Sequence, residues 1–95
     1  MIAIGLTRDR SITALSGASQ VALPLNGNRQ FLLVQNVGAN PVGLNVTGGP
    51  AVIGAAGTLV LAANEKWPAS GNPWVPQNAV NVTGTAGQPV VILEG

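Results

Sequence analysis

The chain has no cysteine, no histidine and no tyrosine, and only one phenylalanine and two tryptophans. Without cysteine there is no disulfide framework, no thiolate metal site and no thiol nucleophile. Without histidine, the side chain that most often moves protons near neutral pH is missing. Charge is equally scarce. Seven residues (Arg8, Asp9, Arg10, Arg29, Glu65, Lys66 and Glu94) make 7% of the chain and leave a net charge of +1, where ordinary soluble domains carry roughly 25%. Surface scaling gives a monomer of this size about 5,000 Å² of accessible area, or roughly 700 Å² per charge. A free monomer is therefore expected to show wide uncharged patches. A chain of 95 residues fits one small domain with a marginal core, for which burial against a partner is a natural supplement.

The same scarcities exclude whole classes of function. Nucleic-acid binding by counterion release needs clustered lysine and arginine, and only Arg8 and Arg10 lie close together. The charge-free stretch from Gln30 to Asn64 is broken too often by Asn, Gln, Pro and Gly to be a membrane helix. Short apolar runs and few aromatics speak against a membrane barrel. Met1 to Leu6 is too short for a signal-peptide core and runs into Arg8-Asp9-Arg10, so synthesis in the cytoplasm without export is expected. Asp9, Glu65 and Glu94 are scattered, and Lys66, the one lysine, has no Ser-x-x-Lys spacing before it. Gly49 to Gly57 lacks the Gly-Lys-Ser/Thr ending of a phosphate cradle. The expectation is a non-enzymatic chain with no catalytic residue, no cofactor and no metal site.

What is present is thirteen glycines and seven prolines, spaced so that hardly any window offers an unbroken helical face, with apolar residues in runs of four to eight. That pattern predicts an all-β fold, a β-sandwich or jelly roll of about seven or eight short strands with an extended N-terminal arm. Residues 1–18 read as a first strand, Ile2 to Leu6, followed by a polar arm anchored by Ile12 and Leu15. Residues 19–95 read as the single β domain. Val21, Leu23 and Leu25 alternate before Asn26-Gly27, a strong hairpin signal. The returning strand contains Phe31-Leu32-Leu33-Val34, apolar on both faces, which predicts a strand buried on both sides at the centre of the core. Val42, Leu44 and Val46 alternate next. Leu59 with Leu61, Glu65 to Trp67, and Val90 to Leu93 mark later strands. Asn45 to Ile53 (Asn45-Val46-Thr47-Gly48-Gly49-Pro50-Ala51-Val52-Ile53) and Asn81 to Ile92 (Asn81-Val82-Thr83-Gly84, then on to Pro89-Val90-Val91-Ile92) form a near-repeat of strand, glycine-rich turn and strand, which either records two equivalent hairpins or arises by chance.

Trp67-Pro68-Ala69-Ser70-Gly71-Asn72-Pro73-Trp74 is stiffened by its prolines and brings two indoles within one loop. Two readings stand. The rings stack on a sugar, or, as the stronger expectation, they pack on the core and on a neighbouring subunit, since aromatics anchor interfaces. The expected protein-interface residues are Arg8, Arg10 and Ile12 in the arm, with Trp67 and Trp74 in the loop.

Asn28-Arg29-Gln30-Phe31-Leu32-Leu33-Val34-Gln35-Asn36-Val37-Gly38, then Pro41-Val42-Gly43-Leu44-Asn45-Val46, and the ending Gly87-Gln88-Pro89-Val90-Val91-Ile92-Leu93-Glu94-Gly95 resemble the small β-structured virion proteins of tailed bacteriophages. These are the capsid decoration, or cement, proteins and related head or tail appendage domains. The resemblance covers about Ser19 to Gly95. It implies a homo-oligomer, often a trimer, that sits on the outer capsid surface of the virion, binds the major capsid protein and stabilises the lattice. Two alternatives remain open: a carbohydrate-binding head-fibre or tail-appendage domain that touches the host surface, and a tail or collar component.

Overall fold

The computed structural model describes residues 7–70 and 74–95. Among them there is no helix, and eight strands form two antiparallel four-stranded sheets. In chain order the strands are β1 (Arg8–Asp9), β2 (Gln20–Leu23), β3 (Leu32–Asn36), β4 (Val42–Asn45), β5 (Leu59–Leu61), β6 (Lys66–Trp67), β7 (Val80–Gly84) and β8 (Val90–Glu94). The first sheet has the order β1-β8-β3-β6 and the second β2-β7-β4-β5. The all-β sandwich read from the sequence is what the chain adopts. The strand expected at Ile2 to Leu6 lies outside the described residues.

Period-two alternation builds the core. Leu32 and Val34 of β3 and Val90 and Ile92 of β8 face inward, opposite Val42 and Leu44 of β4 and Val80 and Val82 of β7, all at 1% exposure or less. Removing such a side chain from water contributes about 1.5–3 kcal/mol. The same alternation turns Asn36 and Glu94 inward. They sit at opposite ends of the sheet, because Leu32 pairs with Glu94 and Asn36 with Val90. Each end of the apolar core is thus closed by a polar network.

Several local expectations change. Asn26-Gly27 does not close a hairpin, because β2 pairs with β7 and β3 with β8, so the chain crosses between sheets there. Val21 and Leu23 do not share a face: a register shift lies between them, leaving Val21 64% exposed and Leu23 at 1%. A bulge breaks the period of two that alternation assumes. The strand buried along its whole length is β4 and not β3, whose Leu33 and Gln35 are only half-buried. β4 is covered because residues 51–58 fold back over its outer side. A Cβ added to Gly43 would stand 2.9 Å from Ile53 Cγ1 and 3.0 Å from Thr58 Cγ2.

The near-repeat is not a pair of equivalent hairpins. Asn45 ends β4, Asn81 lies within β7, and the two are direct cross-strand partners in one sheet. Val52 and Ile53, at the end of the first copy, are half-exposed in a loop.

Candidate interaction surfaces

The segment Thr7 to Ala18 runs along the outer side of β8. Arg8 and Asp9 pair with Glu94 and Leu93. The Ile12 amide donates to Val90 O and the Val90 amide to Ile12 O, both at 2.9 Å. The Ser11 hydroxyl accepts from the Ile92 amide at 3.1 Å. Leu15 is 2% exposed and exchanges backbone hydrogen bonds with Gln88 and Gly87. Ile12 is half-buried against the core and anchors this segment from beneath. Arg8 and Arg10 stay exposed, and with Leu23, Pro24, Leu25 and Glu94 they line a cleft of about 260 Å³.

The principal charged feature inside the protein is one that composition alone passes over. Arg29 is 1% exposed. Its Nε donates to Glu94 Oε2 at 2.8 Å, Nη1 to the carbonyls of Pro76 (2.6 Å) and Asn78 (3.0 Å), and Nη2 to that of Pro24 (2.9 Å). Asn26 Nδ2 adds a longer bond to Glu94 Oε2 at 3.4 Å, and Arg10 Nε lies 3.6 Å from Oε1. Burial pushes the Glu94 carboxyl up, but hydrogen bonds from Arg29 and Asn26 and the charges of Arg29 and Arg10 outweigh it. The net effect holds Glu94 below the usual glutamate value. This clasp joins the β2–β3 crossing, the segment before β7 and the end of β8. One sequence signal could have found it: Glu94 falls in phase with the inward Val90 and Ile92.

At the other end of the core, Gln88 Nε2 donates to Asn36 Oδ1 (3.0 Å) and Asn40 O (2.6 Å), and Asn36 Nδ2 donates to Leu61 O (3.0 Å). These amides close the core with uncharged groups. The remaining carboxylates serve local turns. Asp9 Oδ1 accepts from the Ser11 amide and Glu65 Oε1 from the Ala62 amide. Hydrogen bonding from the Ser11 side chain and then its backbone holds Asp9 below its ordinary value. Among the described residues no three potential metal ligands come together.

Trp67 and Trp74 meet. Their ring centroids are 5.9 Å apart with the planes at 64°, an edge-to-face contact. Trp67 belongs to β6, pairs with Val34 and packs on the core, while Trp74 is 57% exposed. The pair presents one free ring and not a flat two-ring platform. Gly71, Asn72 and Pro73 of this loop lie outside the described residues. The expected interface residues thus form two groups at opposite edges of one sheet, Arg8, Arg10 and Ile12 along β1 and Trp67 with Trp74 at β6.

A third surface lies over the other sheet. A groove of about 510 Å³ is lined by Pro41, Ala51, Val52, Ile53, Val60 and Thr83 among others, none of them charged. Val52, Ile53 and Val60 are each about half-exposed. The signal for it was the glycine-rich stretch Gly49 to Gly57, which the sequence presents as a turn whose small residues face a close neighbour. No protein-family model, no curated protein and no solved structure matches this chain.

Proposed function

We propose that the protein is a non-enzymatic structural component of a phage virion, which binds the outer capsid lattice as a homo-oligomer and stabilises it. The observation that carries this reading is where the charges go. Arg29 and Glu94 are spent inside the protein. The other five, Arg8, Asp9, Arg10, Glu65 and Lys66, serve 5405 Å² of surface, roughly 1,000 Å² each. All five lie on or beside the edge strands β1 and β6 of one sheet. The second sheet has no charged residue in any of its strands and leaves Val21, Leu59 and Val60 exposed. Such a surface suits burial by protein on more than one side.

The strand order supports the finer fold reading as well. With β1 beside β8, β2 beside β7, β3 beside β6 and β4 beside β5 across or within the sheets, the chain follows the path of a wrapped hairpin, which we read as a jelly roll. A two-sheet sandwich of this kind, closed on a packed core, makes a rigid clip. Stabilisation of a lattice would follow from linkage: ligand bound only to the assembled shell raises the stability of that shell, and repeated weak contacts sum through avidity.

The test is sedimentation of the purified chain with coat-protein shells that lack it. Co-sedimentation at many copies per shell, with a raised shell melting temperature, is the expected outcome. Failure to bind shells, together with glycan binding that is lost in Trp74→Ala, would move the protein to the host-surface appendage class.

A further inference from the structure

Sheet edges are templates for pairing with another chain, and proteins guard them with charges, bulges or covers. Among the described residues, three of the four edge strands carry such a guard. β1 presents Arg8 and Asp9 with Arg10 following, β6 presents Lys66 beside Glu65, and β2 is kinked by the register shift between Val21 and Leu23. β5, Leu59-Val60-Leu61, has none. It bears no charge, holds an unbroken register with β4, has no second partner among the described residues, and leaves Leu59 and Val60 43% and 49% exposed. Val60 pairs with Gly43 and stands on the outer face, where it forms one wall of the groove beside Val52 and Ile53.

We propose that this edge is where the protein meets a second copy of itself. β5 pairs antiparallel with β5 of the other copy about a two-fold axis at Val60, joining two four-stranded sheets into one of eight. The edge is self-complementary, as a two-fold interface requires. Val60 faces its own counterpart on the outer side, and Leu59 faces Leu61 of the second copy on the inner side. Neither Leu59 to Leu61 nor the groove holds a charged residue, and the nearest carboxylate, Glu65, is held on the Ala62 amide past the end of the strand and away from the axis at Val60. The same operation at β1 would gather two arginines against one aspartate from each copy. Three residues supply few backbone hydrogen bonds, so the pair depends on Val52, Ile53, Leu59 and Val60 merging into one apolar strip across the axis. The inference rests on the homo-oligomer part of the proposed function and is independent of the capsid. It makes the unit a two-fold pair in place of the trimer that the resemblance implies.

Sedimentation velocity on the free chain, without shells, is expected to give twice the chain mass. Val60→Lys is expected to give single chains at the same concentration, with at least tenfold weaker association, an unchanged β spectrum and a melting temperature that no longer rises with protein concentration. Val21→Lys, on the guarded edge, keeps the pair. Because the chain has no cysteine, Val60→Cys offers a second measure: mild oxidation should convert it to a covalent pair, as directly opposed Cβ atoms about 4.5–5.5 Å apart are near disulfide range, whereas Val21→Cys should not. A wild-type mass of one or three chains, an oligomer that Val60→Lys leaves intact, or a Val60→Cys thiol shielded from alkylation only when shells are added would each overturn the pair. In the last case a coat segment is the occupant. Shell binding is read separately: a wild-type pair that ignores shells refutes the capsid reading and leaves the pair standing.

Discussion

Arg29 Nε lies 2.8 Å from Glu94 Oε2, with the arginine side chain fully enclosed and the carboxylate side chain 8% exposed. The two residues are 65 positions apart. Every side of this buried pair is satisfied, since the other guanidinium nitrogens reach three backbone carbonyls. Removing one member of such a pair strands the other, at a cost of about 3–5 kcal/mol. Arg29→Ala is expected to lose that much in chemical denaturation. Arg29→Lys keeps the charge but not the planar fork and should fall between the two. A loss below 1 kcal/mol for Arg29→Ala would show that the clasp contributes little.

Glu94 makes stability depend on pH. Its carboxyl is held below the ordinary glutamate value of 4.5. A depressed carboxyl contributes its full stabilisation above the unfolded value and loses it as pH falls through the folded value. The melting temperature is therefore expected to be level from neutral pH to about 4.5 and to fall below it. In Glu94→Gln the neutral-pH melting temperature should be lower, and the acid fall shallower. An equal acid fall in both proteins would assign the effect elsewhere.

Gly43 is required by close approach and not by backbone conformation. A methyl group there would meet Ile53, Thr83 and Thr58 at 2.9–3.0 Å. Gly43→Ala should cost about 1–3 kcal/mol by overpacking and lift residues 51–58 away from β4, which hydrogen exchange at Val52 and Thr58 would register. Gly27→Ala, with no neighbour within 4 Å, is the control and should stay within about 0.5 kcal/mol of wild type.

The tryptophans separate stability from association. Trp67 packs on the core and Trp74 projects from it. Trp67→Ala is expected to lower the melting temperature. Trp74→Ala should leave it nearly unchanged and weaken binding to shells or to other copies, read by sedimentation. A melting temperature that drops equally in both variants would make Trp74 a part of the core.

The all-β class was legible because glycine and proline spacing removed helices and the apolar runs had strand length. The phase of Val42-Leu44 was legible too, since its alternation is undisturbed, whereas Phe31 to Val34 and Val90 to Leu93 are apolar at every position, so their own residues do not mark which side turns inward. Alternation failed at Val21-Ala22-Leu23, where Val21 pairs with Asn81 and Leu23 with Val80, so Ala22 is an extra residue that shows only once β2 is laid against β7. Asn26-Gly27 looked like a hairpin because turn chemistry is local. Which sheet each flanking strand joins depends on its partner, β7 for β2 and β8 for β3, and both partners lie far along the chain.

By itself, then, the amino-acid sequence determined what the protein is made to lack: thiols, imidazoles, a basic patch and a continuous apolar span are matters of composition, and no fold can supply them. It also determined the strand class, because that follows from local periodicity. Tertiary structure alone decided how the few charges are used. Pairing Arg29 with Glu94 across 65 residues, gathering the other five at the edges of one sheet, and leaving β5 bare all depend on strand order. Strand order is a long-range property, set by which hydrophobic faces close on one another, and no short window of sequence contains it.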